Sequence, residues 1–176
     1  MKKKTKKIYI VLTYTGTILS KIIKIYTKAE FSHVSLSLDK KLHKMYSFGR
    51  LNPYNPFIGG FVHEGIDRGT FKRFKNTKTE IYCIEVTTKQ YNQIRREIRK
   101  FKNNKINYKF NIMGLFLSAI NYRYTKINSF YCAEFVKHLT DEANLELNLP
   151  STVKPIDFKK NNNLELLYKG KLIKYN

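Results

Sequence analysis

Three features of the sequence predict an α+β fold in which an antiparallel sheet packs against helices. Short β-branched runs with period-two alternation fill much of the first half. Other segments carry apolar residues at helical spacing, and the longest of these lie in the second half. The chain has 176 residues, with no internal repeat and no linker-like stretch, so one domain over 1–176 can bury a core of its own.

The elements follow in order. Ile8 to Thr13 is a β-branched run ended by Tyr14-Thr15-Gly16 and reads as a buried strand. Ile18, Leu19, Ile22, Ile23 and Tyr26 recur at helical spacing, which predicts an amphipathic helix. Phe31 to Leu38 alternates: Val34, Leu36 and Leu38 face one side, and His33, Ser35 and Ser37 the other. Asp39-Lys40-Lys41 turns the chain, and Lys44 to Phe48 returns as the second arm of a hairpin. From Gly49 to Gly69, Asn52-Pro53-Tyr54-Asn55-Pro56 and Gly59-Gly60 predict a long irregular segment, a lid or substrate wall.

Glu80 to Val86 is a strand with Ile81, Cys83 and Glu85 on one face. A helix capped by Thr87 or Thr88 follows, carried by Tyr91, Ile94, Ile98 and Phe101, with Arg95, Arg96, Arg99 and Lys100 on its solvated side. Further helices are expected over Ile112 to Tyr122 and Ser129 to Ala143. Pro150 and Pro155 mark a surface crossing, and Leu164 to Tyr175 closes the chain as a hairpin around Lys169-Gly170.

Charge narrows the function classes. Lys and Arg number 34 against 13 acidic residues, a net +21, which favours non-specific contact with polyanions. The basic residues are spread along the chain, apart from the starting lysines and the run Arg95-Arg96-Arg99-Lys100. The joint richness in Ile, Asn, Lys and Tyr matches a coding bias rather than a binding surface. No zinc pattern or ribonucleoprotein motif is present, so no specific nucleic-acid partner is expected. Five lysines before Ile8-Tyr9-Ile10-Val11-Leu12 resemble a signal peptide, but Thr13 to Thr17 dilute the apolar run and no cleavage site follows. No stretch is long and apolar enough to span a membrane, and a cytoplasmic protein is expected. Cys83 and Cys132 have no metal-ligand spacing; both are expected as reduced thiols, with neither metal nor cofactor implied.

Cys132 is the residue with chemistry to offer. With Ser129 as N-cap it falls in the first turn of a helix, where unpaired N–H groups and the helix dipole stabilise a thiolate. A free cysteine is ordinarily a small buried hydrophobe, and Cys83, on a strand, fits that description. A nucleophilic cysteine needs a base oriented by a third polar group. His138 lies six residues along the cysteine helix on another face, His63 falls in the irregular segment, and His43 starts the return strand. His33 differs, sharing a strand face with two serines, although such a face is ordinarily solvent-exposed in antiparallel sheets. In the drawn register Ser47 is the polar residue best placed to bond the far nitrogen of His33; a one-residue slip substitutes Tyr46.

Phe31-Ser32-His33-Val34-Ser35-Leu36-Ser37-Leu38-Asp39 resembles the histidine strand of the circularly permuted NlpC-type papain-fold cysteine peptidases and amidases, the YaeF/YiiX-like group. Met45-Tyr46-Ser47-Phe48-Gly49 resembles the strand that carries their third polar residue. Phe130-Tyr131-Cys132-Ala133-Glu134-Phe135-Val136 resembles their nucleophile helix, and Val153-Lys154-Pro155-Ile156-Asp157-Phe158 the segment after it. The order His, polar, Cys is the permuted one, and the likeness spans roughly residues 8 to 175. Many relatives carry Glu or His as the third residue, where this chain has Ser47, with Glu64 and His43 in reserve.

The resemblance implies a papain-like fold and a cysteine hydrolase acting through Cys132, His33 and Ser47 by way of a thioester. Its substrate would be an amide or ester, peptide or lipid, with acyl transfer as a variant. The Cys132 N–H is the natural oxyanion donor; Tyr14, Tyr108 and the Thr13-to-Gly16 turn are candidates for a second. The apolar stretch from Leu51 to Val62 suits an acyl substrate. The rival expectation is a basic, non-catalytic module docking on nucleic acid or an anionic surface.

Overall fold

The computed structural model describes residues 5–27, 29–52 and 54–175. Lys2–Lys4 of the N-terminal basic run and Pro53 of the irregular segment lie outside the described residues, as do the side chains of Leu19 and Tyr26 in the first helix.

The first strand, β1 (Thr5–Tyr14), is buried on both faces. Ile8, Ile10 and Leu12 enter the main core, while Tyr9 and Val11 enter a smaller cluster on the opposite side. Only a central strand needs that composition, and β1 is third from the β8 edge of the six-stranded sheet. Helix α1 (Ile18–Thr27) leads to β2 (His33–Ser37), β3 (Met45–Asn52) and β4 (Asn55–Glu64). After the short α2 (Gly69–Arg73) come β5 (Lys78–Thr87) and the long α3 (Thr88–Asn103), whose start is fixed by a capping box between Thr87 and Gln90. The chain continues through β6 (Lys109–Phe110), α4 (Ile112–Ser118), β7 (Ser129–Phe130), α5 (Cys132–Glu142), α6 (Pro155–Lys159) and β8 (Glu165–Lys171). Six strands form one sheet in the order β4-β3-β2-β1-β5-β8, antiparallel throughout, and β6 and β7 form a separate parallel pair. The α+β class with an antiparallel sheet packed on helices is therefore what the chain adopts.

Helix α5 lies against the sheet through Phe135, Val136 and Leu139, each fully buried. Phe135 packs 5.2 Å from Phe48 of β3 and 5.1 Å from Phe101 of α3, measured between ring centroids. Truncating a fully buried Phe costs about 3–5 kcal/mol, so these rings fix the start of α5 against β3. At Gly59 a Cβ would stand 2.9 Å from Phe110, so the approach of β6 to β4 requires glycine there.

Three expectations are corrected. The segment after Gly49 is not irregular: β3 runs on to Asn52 and β4 pairs with it back to Glu64, with a bulge between Arg50 and Asn52. The C-terminal segment is not a hairpin; β8 pairs with β5 and a single 3-10 turn, Leu172–Lys174, follows. Ser129 does not cap the cysteine helix. It lies in β7, because the backbone of 128–130 serves β6 through Lys109 N–H to Asn128 O (2.9 Å) and Asn111 N–H to Phe130 O (2.9 Å). Helix α5 then begins at Cys132 itself, after Tyr131.

Candidate functional site

The strand register decides what surrounds His33. Leu36 pairs with Tyr46 and Ser37 with Met45, as the hairpin pattern requires, so Tyr46 and Phe48 join Val34 and Leu36 in the main core. The other face carries Ser35, Ser37 and Ser47, and all three have zero exposure. This strip is therefore not the solvent face expected of such serines. It is covered, and its groups must find partners inside the protein.

Ser35 and His33 find theirs in Glu64, the last residue of β4, which pairs with Met45. His33 Nε2–H donates to Glu64 Oε1 at 3.0 Å, and Ser35 Oγ–H donates to Glu64 Oε2 at 2.5 Å. Ser35 Oγ also lies 3.3 Å from His33 Nε2. Burial alone would lower the His33 pKa. The Glu64 charge, the neighbouring Cys132 side chain and the hydrogen bond that His33 donates to Glu64 outweigh it and raise the imidazole from 6.5 to about 10. Burial likewise pushes Glu64 up, but the His33 charge, hydrogen bonds from His33 and Ser35, and the nearby Ser47 hydroxyl hold it below the usual carboxylate range. Both directions describe one thing, an imidazolium–carboxylate pair.

Ser47 is not the residue that orients His33. Its Oγ has no hydrogen bond of regular geometry, although it lies close enough to Glu64 to favour the ionised carboxylate. A carboxylate bonds an imidazolium more strongly than a hydroxyl does, so Glu64 takes the position expected of Ser47. The one-residue slip that would substitute Tyr46 does not occur; its ring stacks on His63 at 4.7 Å. His63 donates Nε2–H to the His43 carbonyl at 2.7 Å. His43 is exposed beside Asp39, and His138 packs among Phe101 and Phe130.

Cys132 and His33 share one open pocket, whose wall also includes Phe48, Gly49, Arg50, Glu64, Phe110 and Leu115. Cys132 lies close enough to the imidazole to help raise the His33 pKa. Gly49 keeps the imidazole's edge clear: a Cβ there would stand 3.2 Å from His33 Cε1. No side chain caps the start of α5, so the Cys132 N–H at that start is available to an incoming group. Of the second-donor candidates, only Thr15 of the Thr13-to-Gly16 turn belongs to the pocket wall.

Cys83 sits apart, buried in the smaller cluster, with Sγ–H donating to Glu165 Oε2 at 3.5 Å. Burial, followed by that contact, pushes its thiol pKa up. Both cysteines are free. Among the described residues, no group of three or more His, Cys, Asp or Glu could hold a metal ion, and no helix is long and apolar enough to cross a membrane.

Sequence reasoning held Glu64 only in reserve. The available signal was the alternation at the end of the segment: Phe61 and His63 face the core side, while Val62 and Glu64 face the side of Ser47. No family model matches the chain, and no curated protein matches it.

Proposed function

We propose that the chain is a cysteine hydrolase of the permuted NlpC, papain-like type, with Cys132 as nucleophile, His33 as base and Glu64 as the residue that orients and charges His33. The observation that supports this most directly is the convergence of the Cys132 thiol, the His33 ring and the buried Glu64 carboxylate at one pocket. A histidine held as imidazolium favours thiolate in a cysteine that contacts it. The thiolate attacks the substrate carbonyl carbon, and the oxyanion that develops is met by the Cys132 N–H. Collapse expels the amine or alcohol, which takes its proton from His33, and leaves a thioester. Water, deprotonated by His33, then releases the acid; a second amine or alcohol in its place would make the reaction acyl transfer. Ile23, Phe48, Phe71, Phe110 and Leu115 give the pocket an apolar wall suited to an acyl chain.

Limited alkylation with iodoacetamide, read by intact mass and peptide mapping, tests the reading. The expected result is one fast adduct on Cys132 that slows at least tenfold in His33→Ala, with Cys83 unlabelled. Equal labelling of the two thiols, or indifference to His33→Ala, would point instead to a basic module with no turnover. Product analysis across amide and ester libraries then defines the bond cleaved.

A further inference from the structure

Arg50 is the one Lys or Arg on the wall of the Cys132 pocket, among the described residues, and unlike His33 it has no carboxylate beside it there. It follows Gly49 on β3, so its side chain leaves that strand on the face opposite to Gly49's. Its Nη2–H donates to Thr17 Oγ1 at 2.6 Å, and it has no carboxylate partner among the described residues. The neighbouring charge is another cation. The Arg50 and Arg73 guanidiniums lie 5.8 and 5.3 Å from the centroid of the same ring, Phe74. Burial, followed by Arg73, lowers the Arg50 pKa, as expected for a half-buried charge crowded by a like one. Burying a cation without a counter-charge is costly, and surface arginines readily avoid it by turning outward. A guanidinium has five N–H donors, of which Thr17 takes one, and its planar fork suits two-oxygen anions.

We propose that Arg50 anchors an anionic group, a carboxylate or a phosphate, on the substrate of the Cys132 site. The substrate is then an acyl compound with its apolar part on the Phe48, Phe110 and Leu115 side and its negative group at Arg50. This rests on the hydrolase reading above and adds the class of molecule that the hydrolase would take.

The test uses the full chain at constant ionic strength. Glutarate and glycerol 3-phosphate are titrated calorimetrically into the wild type, Arg50→Gln and Arg50→Lys, with glutaramide and glycerol as neutral controls. The rate of Cys132 alkylation by iodoacetamide is followed in parallel. One of the two anions is expected to bind saturably and to slow alkylation, with Arg50→Gln weakening its binding about tenfold or more and Arg50→Lys falling between. Protection by glutarate alone assigns a carboxylate source, such as a peptide terminus; protection by glycerol 3-phosphate alone assigns a phosphate ester. Anion binding that survives Arg50→Gln, or that leaves alkylation unchanged, belongs to the general positive field and overturns the anchor. His33-dependent alkylation without anion protection overturns the anchor and leaves the hydrolase standing. Alkylation indifferent to His33→Ala overturns both, because the substrate role falls with the hydrolase.

Discussion

Glu64→Gln separates an ion-paired site from a merely hydrogen-bonded one. The substitution keeps the side chain's size and an oxygen for His33 Nε2–H and Ser35 Oγ–H, and removes only the charge. Charge centres about 4 Å apart interact by about 4 kcal/mol at an effective dielectric of about 20, equivalent to about three pKa units. That matches the scale of the rise in His33 from 6.5 to about 10, which is reached against the opposing effect of burial. Without the charge, burial is opposed only by hydrogen bonds and by the neighbouring Cys132, and His33 is expected to lose its proton several units below its wild-type value. The assay is an NMR pH titration of the His33 ring beside the pH profile of Cys132 alkylation. In the wild type the imidazolium persists to about pH 10. In Glu64→Gln the ring should lose its proton several units lower, and alkylation near pH 8 should fall about tenfold or more. A His33 still titrating near pH 10 in Glu64→Gln would refute the assignment of Glu64 as the charging residue.

Other consequences share this geometry. Gly49→Ala places a Cβ 3.2 Å from His33 Cε1 and 3.6 Å from Glu64 Oε1, so the ring must shift. Alkylation of Cys132 should slow about tenfold or more, and a wild-type rate would show that the imidazole position is not critical. Ser35→Ala removes a hydroxyl that donates to Glu64 and lies near His33 Nε2, and it should lower the His33 pKa measurably by NMR. Ser47→Ala removes an oxygen with no regular hydrogen bond, and its effect should be the smaller of the two. The reverse order would restore Ser47 as the orienting residue. Stability should follow the pair. His33 is raised above its unfolded value of 6.5, so its contribution is complete below pH 6.5 and fades as pH climbs toward about 10. Glu64 is lowered below 4.5, so its contribution is complete above pH 4.5 and fades in more acidic solution. In urea unfolding, the gap between wild type and Glu64→Gln should be widest between those values. A gap constant from pH 5 to 10 would contradict the ion pair.

What could be read from the sequence was whatever depends on local period. His33 to Ser37 alternates cleanly, so the face of His33 and the pairing with Met45 and Tyr46 followed from side-chain spacing. Cys132 at a helix start was legible because Phe135, Val136 and Leu139 give that helix a buried stripe. The rest depended on long-range pairing. Asn52, Pro56 and Gly59-Gly60 carry loop chemistry, yet the segment is a strand because β3 offers it an edge and Phe61 packs against Phe48 at 6.1 Å. Tertiary pairing overrode local preference there, and with it went the view of Glu64. The Ser129 cap failed for the same reason, since the backbone of 128–130 bonds to β6 instead of opening a helix.

The buried polar strip itself argues for chemistry over stability. Ser35, Ser37 and Ser47 have no exposure, and the carboxylate beside them, its side chain only 11% exposed, lies against an imidazole. A core selected only for stability gains nothing from this, since replacing a buried ion pair with well-packed apolar residues is often neutral or stabilising. The adjoining face of the same strands shows what such a core looks like, with Val34, Leu36 and Phe48 fully buried in apolar company. Ser37 is satisfied locally by Asp39 and Ser35 by Glu64, but Ser47 is left without a regular partner. That is a cost in the resting protein. His33 and Glu64 meet over Ser35, and the His33 end of this group opens onto the pocket that holds Cys132. Stability alone gives no reason for placement of that kind, whereas the proposed thiol chemistry at Cys132 would require it.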